Sequence, residues 1–225
     1  SKLKINKGKL LQIMQIGLPA GFQGMLFSLS NVVIQSSVNT FGATIIAGNS
    51  AAANIEGFIY VGMNAFYQAA ISFMGQNVGA GKYERVNKIV LSAQICVITV
   101  GLLLGNGCVL LGEVLLGFYT DSPAVVEAGM VRLSLIGATY AICGMMDVMV
   151  GVLRGLGYSI APMFVSLLGA CAFRLVWIAT IFQMEQFHTI KTVYFSYPVS
   201  WIITFLAHFG TFLIVRKKLG KQWGV

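Results

Sequence analysis

The chain has 225 residues, of which 57% are hydrophobic, 15 are basic and 7 are acidic, giving a net charge of +8. Charged residues make up 10% of the chain, against about 25% in an ordinary soluble domain. With a mean hydropathy of +0.81, too little polar surface remains to cover a water-soluble globule. This composition excludes a soluble enzyme and indicates an all-α integral membrane protein.

Long uncharged runs predict six membrane-spanning helices. A span needs about 20 consecutive residues with few or no charges. The first uncharged run, residues 10–55, is long enough for one span and most of a second, with a break near residues 39–42. The predicted spans are residues 10–38, 45–73, 89–112, 128–152, 160–182 and 193–215.

The basic residues predict the orientation of these spans. Twelve of the 15 lie before the first span, in the second and fourth connections, or after the last span. Because Lys and Arg concentrate on cytoplasmic connections, both termini are predicted in the cytoplasm of a multi-pass protein of the cell membrane. Residues 1–9 are then a basic linker, residues 10–215 the membrane lobe and residues 216–225 a basic tail. Orientation explains the positive charge, so no nucleic-acid partner is expected.

A polar stripe runs along the second predicted span. Asn49, Glu56, Tyr60 and Asn64 fall within an arc of about 100° at helical spacing. Such a stripe can be hydrogen-bonding glue between helices, but an ionisable group inside a span is a functional-site hypothesis by default. Glu56 lies at a depth similar to that of Arg174 in the fifth span, which predicts that the two side chains pair.

Asp147 lies on one face of the fourth predicted span. Tyr140, Asp147 and Arg154 recur every seven residues there. Two interpretations stay open, an anchor near the cytoplasmic end beside Arg154 and a role in an ion pathway.

The sequence contains no Walker-type loop, HExxH or GxSxG motif, and its four cysteines lie in apolar runs without metal-ligand spacing. No catalytic or metal site is therefore predicted. The cysteines are Cys96, Cys108, Cys143 and Cys171.

Several motifs, in order along the chain, resemble those of the MATE (multidrug and toxic compound extrusion) transporters. They are Gly17-Leu18-Pro19, Glu56-Gly57-Phe58, the loop from Gly75-Gln76-Asn77 to Tyr83-Glu84-Arg85, and Leu153-Arg154-Gly155 with Pro162-Met163. That family has twelve spans in two six-helix lobes, and the chain resembles the carboxy-terminal lobe. The resemblance implies a secondary antiporter that exports organic cations or amphipathic compounds by alternating access, driven by Na⁺ or H⁺. Some sodium-coupled members of that family have an aspartate at the position where this chain has Cys143. The nearest acidic residue of this chain, Asp147, lies one helical turn later.

The resemblance and the polar stripes together predict a cavity lined by the second, fourth and fifth spans. Glu56, Asp147 and Arg174 are the candidate coupling residues, with Glu56 exchanging a cation and Arg174 holding or tuning it. The candidate substrate contacts are Asn49, Tyr60, Asn64, Tyr140 and Trp177, whose aromatic members suit an organic cation. No cofactor is expected beyond the coupling ion; the expected partners are the bilayer, a small organic substrate and an amino-terminal lobe.

Two alternatives stay open, a second kind of transporter and a protein of a different class. A lipid-linked sugar flippase of the same superfamily would need several cavity cations to hold a pyrophosphate, and the sequence offers Arg174 as the clear candidate. A non-transporting membrane subunit would direct its polar stripes toward a partner protein rather than into a cavity.

Overall fold

The computed structural model describes residues 6–223, without the side chain of Gln222, and all regular structure in that range is helical. Parts of the predicted linker and tail, residues 1–5 and 224–225, lie outside the described residues. The helices are α1 (Lys7–Asn39), α2 (Ala43–Gly79), α3 (Val86–Leu110), α4 (Gly112–Gly117), α5 (Pro123–Leu135), α6 (Tyr140–Gly155), α7 (Ile160–Ser166), α8 (Phe173–Ala179) and α9 (Ile190–Trp223).

These helices form six long segments, in the order predicted. A 3₁₀ turn, Gly137–Thr139, joins α5 to α6 in the fourth segment, and a π-helical segment, Leu167–Ala172, joins α7 to α8 in the fifth. Five of the six segments are long and apolar enough to cross a membrane. The exception is α2, whose 37 residues are long enough but include the polar stripe, which lowers their mean hydropathy. The prediction of an all-α membrane fold is confirmed.

The turn between α1 and α2 lies where the sequence predicts a break. Gly42 has a φ of 88°, a conformation that glycine adopts without steric cost. It reverses the chain after Asn39, so that α2 begins at Ala43 and packs beside α1.

Several helices are longer than the predicted spans. α2 has 37 residues and would measure about 55 Å at 1.5 Å per residue, against a hydrocarbon core of about 30 Å. α9 likewise continues through Arg216 to Trp223, so the described part of the predicted basic tail is helical. Hydropathy marks the part of a helix that suits lipid, whereas a helix ends only where capping or a chain reversal ends it.

The buried core lies where α2, α3, α6 and α9 meet, with Met63, Val97, Met149 and Tyr194 among its members. By contrast, the most apolar stretch of α1 is 6% buried. The buried residues of α1 form one stripe, Ser30, Ile34 and Val38. A gap between α1 and the core helices is left for polar side chains.

Candidate functional site

A cavity of about 640 Å³ lies between α1 and the core helices, within the size range of small-molecule sites. Its walls come mainly from α1, α2 and the α5–α6 segment, with Tyr197 and Trp201 of α9. The predicted second, fourth and fifth spans all contribute lining residues, and the first and sixth spans, which were not predicted as walls, contribute as well. The fifth segment contributes Arg174 alone among the described lining residues, because the rest of that helix faces other neighbours. Five acidic or basic side chains line the cavity: Glu56, Arg132, Asp147, Arg154 and Arg174.

Glu56 is paired with Arg132 of α5, and the predicted pairing with Arg174 is wrong. Arg132 donates from Nε to Glu56 Oε1 at 2.9 Å and from Nη2 to Oε2 at 2.7 Å. This bidentate geometry is the strongest form of an Arg–carboxylate contact. By depth along its helix, Arg174 could reach Glu56. Arg132 makes the contact instead, because α5 presents the face that carries Arg132 to α2.

Asn49 extends this ion pair into a network that joins four helices. Its Oδ1 accepts from Arg132 Nη1 at 2.7 Å and from the Tyr194 hydroxyl at 3.1 Å, while its Nδ2 donates to Gln35 Oε1 at 2.9 Å. Gln35 in turn donates to Asn39 at 2.9 Å. Asn49 lines the cavity as predicted, but its amide is occupied by structural hydrogen bonds.

Arg174 is 4% exposed and has no carboxylate at ion-pair distance among the described residues. Its Nε donates to Ser200 Oγ at 2.8 Å. The guanidinium carbon lies 4.2 Å from the ring centroid of Tyr197 and 5.8 Å from that of Trp201. The buried Nη2 has no hydrogen-bond partner in the part of the chain that the structure describes.

Arg154 closes one end of the cavity between α1 and α2. Its Nη1 donates to the Tyr67 hydroxyl, and its Nη2 donates to Gln23 Oε1 at 2.9 Å. Asp147, about two turns before Arg154 on the same face of α6, lies near enough to Arg154 and Arg174 to interact with both charges. Its carboxylate lines the cavity without a hydrogen bond or ion pair to any other residue of 6–223. Of the two acids, Asp147 is therefore the one left available.

The predicted aromatic and amide contacts divide into two groups. Tyr60 and Tyr140 line the cavity. Asn64 and Trp177 do not: Asn64 donates to the Tyr60 hydroxyl at 3.3 Å, and the Trp177 indole donates to the Thr192 carbonyl at 3.0 Å. This hydrogen bond directs the Trp177 indole toward the start of α9.

Sequence reasoning missed three groups of polar or aromatic lining residues: Arg132, the amides of α1 and two aromatic residues of α9. Arg132 is noticeable as an arginine inside a span, but nothing in its spacing identifies Glu56 as its partner. The amides of α1 follow at steps of four, which indicates a polar face without indicating a cavity. The missed lining residues are Gln23, Asn31, Gln35, Arg132, Tyr197 and Trp201.

The sequence profile of the MatE family matches residues 19–180 of the chain. The chain belongs to the MatE family. MATE proteins are transporters rather than enzymes, so the sequence-based resemblance and the exclusion of an enzyme are both confirmed.

Curated relatives carry names that agree with this membership. The chain is 22% identical over 220 residues to the probable multidrug resistance protein YoeA of Bacillus subtilis, covering 96% of the chain and 46% of that protein. It is 23% identical over 164 residues to the probable multidrug resistance protein NorM of Thermotoga maritima, covering 73% of the chain and 35% of that protein. The chain thus spans less than half the length of these relatives.

A solved structure shares the fold. The Vibrio cholerae MATE transporter VcmN in the bent form matches with a TM-score of 0.83 and 20% identity, over 96% of the chain and 49% of that protein. The chain therefore has the fold of about half a MATE transporter, in agreement with the single lobe that the sequence predicts.

Proposed function

We propose that the chain is the carboxy-terminal lobe of a two-lobe secondary antiporter of the cell membrane. In this proposal the transporter exports organic cations or amphipathic compounds by alternating access, in exchange for Na⁺ or H⁺. The membership in the family, the names of the relatives and the half-length match support it. The opposing lobe would close the cavity on the side of α1, since substrate sites in such transporters lie between repeats that move against one another.

The observation that carries the coupling role is the free carboxylate of Asp147 in the cavity. An ionisable group inside a membrane span is costly and usually serves an ion or substrate pathway. Glu56 is already neutralised by Arg132, so its charge is not free to bind and release a cation in each cycle. Asp147 is the coupling acid in our proposal, and Glu56 holds the α2–α5 contact.

Arg154 and Arg174 would make Asp147 responsive to its ligand. Both interact with the Asp147 carboxylate, so a proton or Na⁺ bound there weakens its attraction to the two guanidinium groups. Arg154 is hydrogen-bonded to α1 and α2, which connects the charge of Asp147 to the contact between those helices. Binding of the coupling ion would thereby alter the wall of the cavity.

The alternatives are less well supported by the same geometry. A flippase would need several cavity cations to hold a pyrophosphate, and Arg174 is the clear candidate in the sequence. The cavity contains three arginines, but the bidentate contact with Glu56 occupies Arg132. A non-transporting subunit would present its polar stripes to a partner, whereas Glu56, Tyr60 and Asp147 face a cavity of about 640 Å³.

The test replaces Asp147 with Asn in the complete two-lobe transporter reconstituted in proteoliposomes. Asp147→Asn keeps the size of the side chain and removes its charge, so we expect at least a tenfold loss of gradient-driven efflux of a cationic dye with normal membrane insertion. Comparing Na⁺ with H⁺ gradients identifies the coupling ion. Asp121→Asn, in the exposed connection before α5, is the matched control and should export normally. Unchanged efflux in Asp147→Asn would contradict the coupling role.

A further inference from the structure

The charges of the cavity do not balance. Three arginines face two carboxylates, and the Glu56–Arg132 pair cancels itself. The remaining side chains are Asp147, Arg154 and Arg174, with a net charge of +1 when ionised. A cavity with this balance attracts negative charge better than positive charge.

The hydrogen-bond donors of the three arginines are used to different degrees. Arg132 directs its Nε and both terminal nitrogens to Glu56 and Asn49. Both terminal nitrogens of Arg154 donate to neutral side chains. Arg174 makes its described hydrogen bond through Nε, and its buried Nη2 has no partner among the described residues; in Arg154 it is the buried Nε that has none.

Leaving such a donor empty is costly. Arginine stays protonated in proteins, and a buried charged group without its hydrogen bonds loses solvation that nothing replaces. Tyr197 lies under the guanidinium plane and Ser200 fixes its Nε, so the group is held in place. A rigid guanidinium with a free terminal nitrogen is suited to bind a planar or tetrahedral oxyanion.

We propose that Arg174 is an anion-binding subsite of the cavity, which takes a carboxylate, sulfonate or phosphate group of the transported compound. The proposal rests on the proposed transport function and specifies its substrate class as amphipathic molecules with an oxyanion. The oxyanion accepts from the part of the Arg174 guanidinium that borders the cavity, while Tyr197 and Trp201, which also line it, contact the apolar part. An anionic lipid headgroup has the same chemistry and can compete for the subsite.

Equilibrium binding of two dyes tests the subsite without any transport. Rhodamine B and its ethyl ester share one cationic ring system and differ by the carboxylate. We expect the chain in nanodiscs of zwitterionic lipid to bind rhodamine B about tenfold more tightly than the ester, since one charge-assisted hydrogen bond has roughly that effect. Fluorescence polarisation measures both affinities, with empty nanodiscs as the background.

Variants assign any preference to Arg174. In Arg174→Gln the two dyes should bind equally, with the affinity of the ester unchanged, which also reports an intact cavity. Arg174→Lys keeps the charge and should retain part of the preference. Arg85→Gln is the matched control, because Arg85 lies in an exposed loop, and it should retain the full preference.

The outcomes separate this inference from the proposed function. Equal binding of both dyes by the unaltered chain, or a preference that survives in Arg174→Gln, would overturn the anion subsite and leave the transport proposal standing. Binding of neither dye would overturn the anion subsite in this lobe, whereas the transport proposal is decided separately by the efflux assay of Asp147→Asn in the two-lobe transporter. If the preference for rhodamine B over its ester is lost only in phosphatidylglycerol nanodiscs, the headgroup phosphate occupies the subsite. If the preference is kept there, the occupant is the free organic anion. Both results support the subsite.

Discussion

Glu56 and Arg132 form an ion pair whose side chains are 6% and 11% exposed. Removing one partner of such a pair leaves an uncompensated charge, which typically costs about 3–5 kcal/mol, whereas replacing both partners with apolar residues can be neutral. We therefore expect Glu56→Gln to lower the thermal unfolding midpoint strongly and the double variant Glu56→Leu with Arg132→Met to recover most of it.

Thermal unfolding in detergent, followed by circular dichroism, measures this effect. Glu113→Gln, at an exposed position, is the control and should unfold like the parent. Equal destabilisation in the single and double Glu56 variants would show that the lost hydrogen bonds, rather than the orphaned charge of Arg132, determine the effect.

The sequence predicts which residues are polar and buried, but not which of them touch. The depth of a residue in the membrane can be predicted by counting residues along its helix, and by this count Glu56 and Arg174 lie at similar depths. Which face each helix turns to its neighbour depends on packing, and that choice paired Glu56 with Arg132. Asp147, predicted as an anchor or as part of an ion pathway, is at the cavity because α6 turns it there.

Close backbone contact joins α3 to the α5–α6 segment. A Cβ atom added at Gly105 would overlap the carbonyl oxygen of Gly137, whereas one added at Gly107 of the same helix would meet nothing within 4 Å. We expect Gly105→Ala to destabilise the protein by about 1–3 kcal/mol, as overpacking does. Gly107→Ala should be neutral or slightly stabilising, because alanine favours helix.

Unfolding midpoints of the two alanine variants, measured side by side, test this contact. Because both replace a helical glycine in α3, their difference reports packing rather than helix propensity. If Gly105→Ala were as stable as Gly107→Ala, the close approach of α3 to Gly137 would be refuted.

Helix type along the fourth and fifth segments could not be predicted from hydrophobic pattern. The pattern has one period for a whole span, whereas Gly137–Thr139 is a 3₁₀ turn and Leu167–Ala172 is π-helical. Such departures from α geometry are common at functional sites, and these two flank the residues that line the cavity.

The carboxy-terminal ends of α2 and α9 lie on the same side of the molecule. The rings of Tyr83, after α2, and Trp223, in α9, are stacked with centroids 4.1 Å apart. We therefore expect single cysteines at Lys82 and Lys217 to react with an impermeant maleimide from the same side, with a cysteine at Lys191 reacting from the other. Labelling of Lys82 and Lys217 positions from opposite sides would contradict the predicted orientation.

A single lobe should not transport. Alternating access needs a second body against which the first can move. In this chain, 6% of the residues in the most apolar stretch of α1, which forms one wall of the cavity, are buried. We expect the 225-residue chain, reconstituted alone, to show no saturable gradient-driven efflux, whereas the two-lobe transporter does. Saturable efflux from a monomer of the chain would contradict this expectation.

The π-helical segment Leu167–Ala172 also affects how this chain is compared with its relatives. One π turn holds about one residue more than an α turn, so the helix after it is rotated by about 100° relative to an uninterrupted helix. A relative with a continuous α-helix in the fifth span reaches the same face one residue earlier. Aligning the two without a gap in residues 167–172 would therefore match Arg174 to a position about 100° away from the cavity-facing side of the helix in the relative.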